Sequence, residues 1–153
     1  MRTLLNILWN VPGLGFVAAF CWVLAGLVMA LTLIGLPWAK ACFTLANYTL
    51  APFGRELVSR HDVTGHASLG TGELGVLANV VWFLLAGWWL IVLHGLAACA
   101  SALTIIGIPF AWAHLKLAAA AIAPVGKVVV PSEVALEIDR AKAAGWVSGA
   151  PRC

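Results

Sequence analysis

Two long stretches of this chain carry no charged residue, and polar residues gather between and after them. The first runs from Thr3 to Ala39. Pro12-Gly13 and Pro37 interrupt it, which leaves Leu14 to Leu36 as a continuous apolar core long enough for a spanning helix. The second runs from Leu74 to Ala113 with His94 counted as neutral. That is too long for one straight crossing, since about 20 residues at ~1.5 Å each already span the hydrocarbon core of a bilayer. The pattern predicts a long helix followed by a short one in each half: Leu14 to Leu36 with Trp38 to Ala51, and Gly87 to Ile106 with Phe110 to Ala123. Pro37 suits the start of a helix, where its missing N–H costs nothing. Arg2 to Trp9 reads as an interfacial segment anchored by Trp9, and Trp82, Trp88 and Trp89 as an aromatic band, with Trp22 deeper. Gly54 to Gly72 reads as a polar linker. Val128 to Pro131 reads as extended, and Ser132 caps a helix from Glu133 to about Ala144 that Gly145 stops. Val134, Ile138 and Ala141 share one face of that helix, with Glu137 and Arg140 paired on the other.

The same phrases occur twice. Thr32-Leu33-Ile34-Gly35-Leu36-Pro37 returns as Thr104-Ile105-Ile106-Gly107-Ile108-Pro109, and Pro52-Phe53-Gly54-Arg55 returns as Pro124-Val125-Gly126-Lys127. The offset between copies is constant, taking Thr32 to Thr104, Pro52 to Pro124 and Gly54 to Gly126. Asn6-Ile7-Leu8-Trp9 is echoed by Asn79-Val80-Val81-Trp82 at an offset larger by a single position, so the first copy holds one extra residue between Trp9 and Thr32. A fixed offset across Gly and Pro positions marks an internal duplication. The expected fold is an all-α membrane protein of tandem duplicated helical hairpins, about four membrane helices, with a C-terminal amphipathic helix. Residues 1–58 form the first repeat, 59–73 a polar linker loop, 74–130 the second repeat and 131–153 a cytoplasmic tail.

Composition agrees: 63% of residues are hydrophobic and 10% charged, against about 25% charged in soluble proteins. The formal net charge of +3 is spread along the chain and forms no basic stripe, so a nucleic-acid partner is not expected. Arg2, Arg55, Arg60, Lys127, Arg140, Lys142 and Arg152 fall in the N-terminus, the central loop and the tail. Two crossings per repeat put all three on one side, which the positive-inside rule makes cytoplasmic. Were Trp38 to Ala51 only surface-lying, the repeats would be inverted instead. Cys21, Cys42, Cys99 and Cys153 form no CxxC pair and read as small apolar residues. The N-terminal apolar stretch is too long for a signal peptide and reads as retained.

Lys40, His94, His114 and Lys116 are the ionisable residues in or beside the apolar segments, where a charge is costly and a functional role is the first reading. Lys40 and Lys116 lie on equivalent helices one turn apart, and with the two histidines they are candidates for a polar pathway or for headgroup contacts. Snorkelling to the headgroup layer outweighs a pathway role for the lysines. His61, Asp62, His66 and Glu73 match no zinc spacing, and no phosphate loop, nucleophile elbow or metalloprotease motif occurs. No enzyme activity, metal or cofactor is expected. Gly26, Ala30, Gly87, Gly95, Ala98 and Ala102 are small residues suited to close helix packing in lipid.

With these turn motifs, Trp positions and tandem layout, the chain resembles the YccF family over about Met1 to Val130. The resemblance implies a bacterial inner membrane protein of two inner membrane component domains, and no substrate or catalytic residue. The expected function is an integral membrane protein, homo-oligomeric and channel- or transporter-like. The alternative is an accessory or scaffold protein whose central loop or C-terminal helix binds a protein partner.

Overall fold

A computed structural model describes residues 1–12, 14–31, 35–66 and 70–148, the last three by their backbone alone. The elements are α1 (Arg2–Asn10), α2 (Leu14–Ala30), α3 (Leu36–Leu50), β1 (Arg55–Ser59), α4 (Arg60–Thr64), α5 (Glu73–Trp82), a π-helical turn (Phe83–Gly87), α6 (Trp88–Ala102), α7 (Ile108–Ile122), β2 (Lys127–Pro131) and α8 (Ser132–Ser148). The most extensive packing is of α2 on α3 and of α6 on α7. The fold is mostly helical, but the all-α expectation is corrected by the two-stranded antiparallel sheet of β1 and β2. Thr32 to Ile34, Gly13, Arg152 and Cys153 lie outside the described residues.

Glu73–Ala102 is one helix of 30 residues, long and apolar enough to cross a membrane. It begins well before the expected Gly87, because Gly75 and Gly87 weaken a helix by only about 1 kcal/mol each and do not break it. The π turn has a packing consequence. In a regular helix Trp82 and Ala98 would point about 160° from each other. One residue absorbed in the wide turn brings them to within about 60°, and both are buried. The first half solves the same problem with a break: the axes of α1 and α2 differ by 73°. α2 stops at Ala30, short of the expected Leu36, and α3 and α7 start within two residues of their predicted positions.

Trp9 is fully buried, which overturns the interfacial-anchor reading. The last carbonyls of a helix lack intrahelical partners, and the indole supplies one: Trp9 Nε1 donates to Thr49 O at 2.8 Å near the end of α3. Trp82 Nε1 donates to Ala121 O at 2.9 Å near the end of α7. Each repeat's asparagine completes the closure. Asn6 donates to Phe53 O and accepts from Phe53 N–H at 3.0 and 3.1 Å, and Asn79 does the same with Val125 at 3.1 and 2.9 Å. The Asn-x-x-Trp phrase thus ties the start of each repeat to the turn that ends its second helix.

That turn needs glycine. Gly54 has φ +86° and Gly126 φ +85°, a region that costs other L-residues roughly 1–2 kcal/mol. Each glycine leads directly into a strand. Leu57 of β1 pairs with Val129 of β2, its counterpart in the second repeat. Reciprocal backbone bonds extend the ladder: Arg60 N–H donates to Gly126 O at 2.8 Å and Ser132 N–H to Gly54 O at 3.0 Å. Around the Leu57–Val129 pair, Trp9, Tyr48, Ala113 and Leu117 form one buried cluster, and Trp22, Cys42, Leu45, Ala46, Trp82 and Ala120 form another.

The expected linker 59–73 contains α4, and its boundary falls inside β1. α8 passes Gly145 and continues to Ser148, so glycine does not stop it. Its inward residues include Ala135 and Ile138, while Val134 and Ala141 are exposed, which corrects the expected apolar face. The Glu137–Arg140 pair forms at 2.7 Å. Arg2 pairs with Glu133 and Lys142 with Asp62, drawing the N-terminus, the central segment and α8 together. The Arg2 guanidinium, hydrogen-bonded to Glu133, holds that carboxyl below the usual carboxylate range. Of the small residues, Gly26 meets Phe43 and Gly87 approaches Ala121 O, whereas a side chain at Gly95 would meet nothing within 4 Å.

The two turn glycines differ in their surroundings. A Cβ at Gly126 would lie 1.9 Å from the backbone oxygen of Gly70, while one at Gly54 would meet only the flexible Arg2 side chain, at 2.7 Å. Gly126→Ala should therefore lower the thermal midpoint of detergent-solubilised protein more than Gly54→Ala does. Equal losses would contradict the close approach of Gly70.

Candidate functional site

Three polar arrangements stand out against the apolar helices. His94 of α6 and His114 of α7 face each other with Nδ1 to Nδ1 at 3.3 Å and ring centroids 5.6 Å apart. Two neutral imidazoles in this arrangement share one N–H, one ring donating and the other accepting. Trp9 lies edge-on to His114 at 5.1 Å between centroids. The equivalent positions of the first half are Trp22 and Cys42, which meet in a buried cluster. The same contact between the long and short helices is therefore apolar in one half and polar in the other. His94 also borders an apolar cavity of about 490 Å³ between α2 and α6, with Trp22, Trp82, Trp88 and Trp89 on its walls.

Lys116 reaches from α7 across to the first repeat. Its Nζ is 2.6 Å from Glu56 Oε1, and it donates to Arg55 O at 3.1 Å and Pro52 O at 3.5 Å. Arg55 in turn donates to Asn47 Oδ1 at 3.0 Å. Lys40 is exposed on α3. The two lysines thus have different surroundings, and the counterpart of Lys116, Thr44, bonds within its own helix to Lys40 O at 2.9 Å. The other motif residues serve the turns: Pro37 and Pro109 lie in the first turns of α3 and α7, preceded by Gly35 and Gly107. Pro52 and Pro124 are fully buried before Gly54 and Gly126. Cys21 and Cys99 are exposed free thiols and Cys42 a buried one. Among the described residues no three His, Cys, Asp or Glu side chains gather as metal ligands.

Sequence reasoning named both histidines without joining them, because they are 20 residues apart on different helices. It missed Glu56 as the partner of Lys116, because Glu56 was counted in a polar loop. No alternation marks the strand, since Arg55-Glu56-Leu57-Val58-Ser59 runs polar, polar, apolar, apolar, polar.

The third arrangement is a hollow of about 220 Å³ at the start of α5, where Ser59, Thr71, Asn79 and Lys127 stand among Val76, Ala123 and Val125. It adjoins an apolar groove of about 490 Å³ along α5 and α7.

The Lys116 side chain is 16% exposed and that of Glu56 37%, so the pair is screened only in part. Lys116→Met should cost about 1–2 kcal/mol in a detergent unfolding titration. A double-mutant cycle with Glu56→Gln should recover part of that loss, and zero coupling would mean the two groups are solvated separately.

Comparison with known proteins places these features in one family. The YccF inner membrane component domain matches residues 4–55 and again 77–127. The inner membrane protein YccF of Escherichia coli K12 is 37% identical over 146 residues, covering 94% of this chain and 97% of that protein. The inner membrane protein YccF of Shigella flexneri matches to the same extent. No solved structure matches the chain. Neither the domain description nor the relatives' names carry an enzymatic activity. On the strength of two domain matches and a relative aligned over nearly its whole length, the chain belongs to the YccF family of inner membrane proteins.

Proposed function

We propose that this chain is a non-enzymatic, multi-pass component of the inner membrane, made of two helical hairpins in the same orientation with both termini in the cytoplasm. The β1–β2 pairing carries the proposal. The strands that follow the two hairpins pair with each other, with Leu57 opposite Val129. Hairpins whose exits are hydrogen-bonded together leave the membrane on the same side. Arg2 with Glu133 and Lys142 with Asp62 add the N-terminus and α8 to that side. Arg2, Arg55, Arg60, Lys127, Arg140 and Lys142 all belong to these segments, and such a cluster of cations favours the cytoplasm.

The opposing surface is suited to lipid. Phe16, Phe20 and Leu27 on α2, Leu84, Leu85 and Leu96 along the long helix and Trp112 on α7 are exposed, as apolar residues facing hydrocarbon are. α3 and α7, with 15 residues each, reach about 22 Å, less than the roughly 30 Å of the hydrocarbon core. Their carbonyl ends are met by the Trp9 and Trp82 indoles, which supports a hairpin whose short limb ends inside the protein.

Within this frame the molecule works by association with lipid and protein neighbours. The support is Lys116 on α7: Glu56 and two carbonyls already engage it, so it ties the halves together and does not stand open along a path for solutes. The surface offered to neighbours is the cytoplasmic face formed by the sheet and the outer side of α8.

Single cysteines at Arg60, Arg140 and Ile105, introduced in a cysteine-free background, test the arrangement with a membrane-impermeant maleimide applied to cells whose outer membrane is opened. Ile105→Cys, between α6 and α7, should label from outside, and the other two only after the inner membrane is permeabilised. Labelling of Arg60→Cys and Arg140→Cys on opposite sides would refute the common orientation.

A further inference from the structure

The hollow at the start of α5 and the groove beside it have the two chemistries of a phospholipid in the right order. The hollow carries the side chains of Ser59, Thr71, Asn79 and Lys127 among glycines and the apolar Val76, Ala123 and Val125. Among the described residues Lys127 takes part in no ion pair, in contrast to Arg2, Lys116, Arg140 and Lys142. Glu73, in the first turn of α5, is exposed and does not line the hollow. The hollow shares Val76, Asn79 and Ala123 with the apolar groove. From there Val80, Phe83, Leu84 and Ile122 continue as an uninterrupted apolar wall of about 490 Å³.

Position along the bilayer agrees. The helix able to cross the membrane begins at Glu73, so its first turn lies at a boundary between water and hydrocarbon, at headgroup depth. The start of a helix also favours negative charge. A lysine near the membrane surface attracts anionic lipid, each such cation contributing about 1 kcal/mol. The first half has a counterpart of the groove. Thr3, Asn6, Ile7, Asn10 and Val11 line a cavity of about 390 Å³, and the offset that takes Trp9 to Trp82 takes them to Val76, Asn79, Val80, Phe83 and Leu84. There the Arg2 side chain lies against Gly54, where Gly70 and Thr71 lie against Gly126, and Arg2 is paired with Glu133. The cationic hollow thus belongs to the second half.

We infer that the hollow bordered by Lys127 and the groove along α5 and α7 together hold one anionic phospholipid of the cytoplasmic leaflet, its phosphate at Lys127 and an acyl chain against Val80 and Leu84. The leaflet rests on the orientation proposed above, whereas the selection of an anionic lipid does not. The lipid is therefore tested on purified full-length protein in detergent, where orientation plays no part and which the maleimide labelling leaves untouched.

Native mass spectrometry with added palmitoyl-oleoyl phosphatidylglycerol, against phosphatidylcholine bearing the same chains, reads the site. The wild type should retain one phosphatidylglycerol in preference to phosphatidylcholine. Lys127→Gln should weaken that retention about fivefold and Lys142→Gln should leave it unchanged. Val80→Trp, which fills the groove, should lower retention of both lipids. Millimolar inorganic phosphate should not displace the lipid, because the groove holds its chain. Equal retention of the two lipids, an unaffected Lys127→Gln protein, or displacement by phosphate alone would each overturn the assignment.

Discussion

Backbone pairing between β1 and β2 is the constraint from which the rest of the arrangement follows. Each strand is five residues long, and two strands alone are marginal in water. Here they are held by what precedes and follows them. Each is entered through a glycine at positive φ, each is flanked by a reciprocal backbone bond to the other repeat's turn, and Leu57 and Val129 pack under the buried helices. Because equivalent residues face each other at the middle of the ladder, the two halves meet about a local two-fold axis. A contact made by one half then has its counterpart in the other.

Helix ends are the second demand. In an apolar environment an unpaired carbonyl costs several kcal/mol, and α3 and α7 both end among buried residues. The indoles of Trp9 and Trp82 answer that need from the beginning of each repeat, and the amides of Asn6 and Asn79 hold the turns that follow, at Phe53 and Val125. The first and last parts of a repeat are therefore coupled by hydrogen bonds across about 40 residues. Asymmetry enters where the halves differ in chemistry: His94 and His114 stand where Trp22 and Cys42 stand in the first half, Lys116 where Thr44 stands, and Arg2 where the second half leaves a hollow bordered by Lys127.

Much of this architecture was legible in the residues. The Gly-Pro phrases marked the starts of α3 and α7 to within two positions, and Val128 to Pro131 read as extended. The echo of Asn6 to Trp9 in Asn79 to Trp82 marked the start of each repeat. β1 was not legible, because Arg55-Glu56-Leu57-Val58-Ser59 is short and polar at its edges. Its extended form is secured by a partner strand in the other repeat, which local propensity does not report. Trp9 misled for a related reason: a tryptophan near an apolar boundary suits the interface, and only the position of Thr49 O makes it a buried helix cap. Of the candidate site, the ionisable residues were visible and their partners were not, since His94 with His114 and Lys116 with Glu56 are meetings of separate elements.

The central claim is that the exits of the two hairpins lie together. The bonds from Arg60 N–H to Gly126 O and from Ser132 N–H to Gly54 O set the alternation of the ladder, which makes Leu57 and Val129 a non-hydrogen-bonded pair with Cα atoms about 4.5 Å apart, within reach of a disulfide. The direct measurement is oxidative cross-linking of purified protein carrying Leu57→Cys and Val129→Cys in a cysteine-free background, read as an intramolecular disulfide by intact mass and by peptide mapping. The paired arrangement predicts rapid, near-complete closure, and slower closure when Val129→Cys is replaced by Val128→Cys, whose side chain points to the opposite face. No closure of the 57–129 pair in folded protein, or equal closure of both pairs, would contradict it.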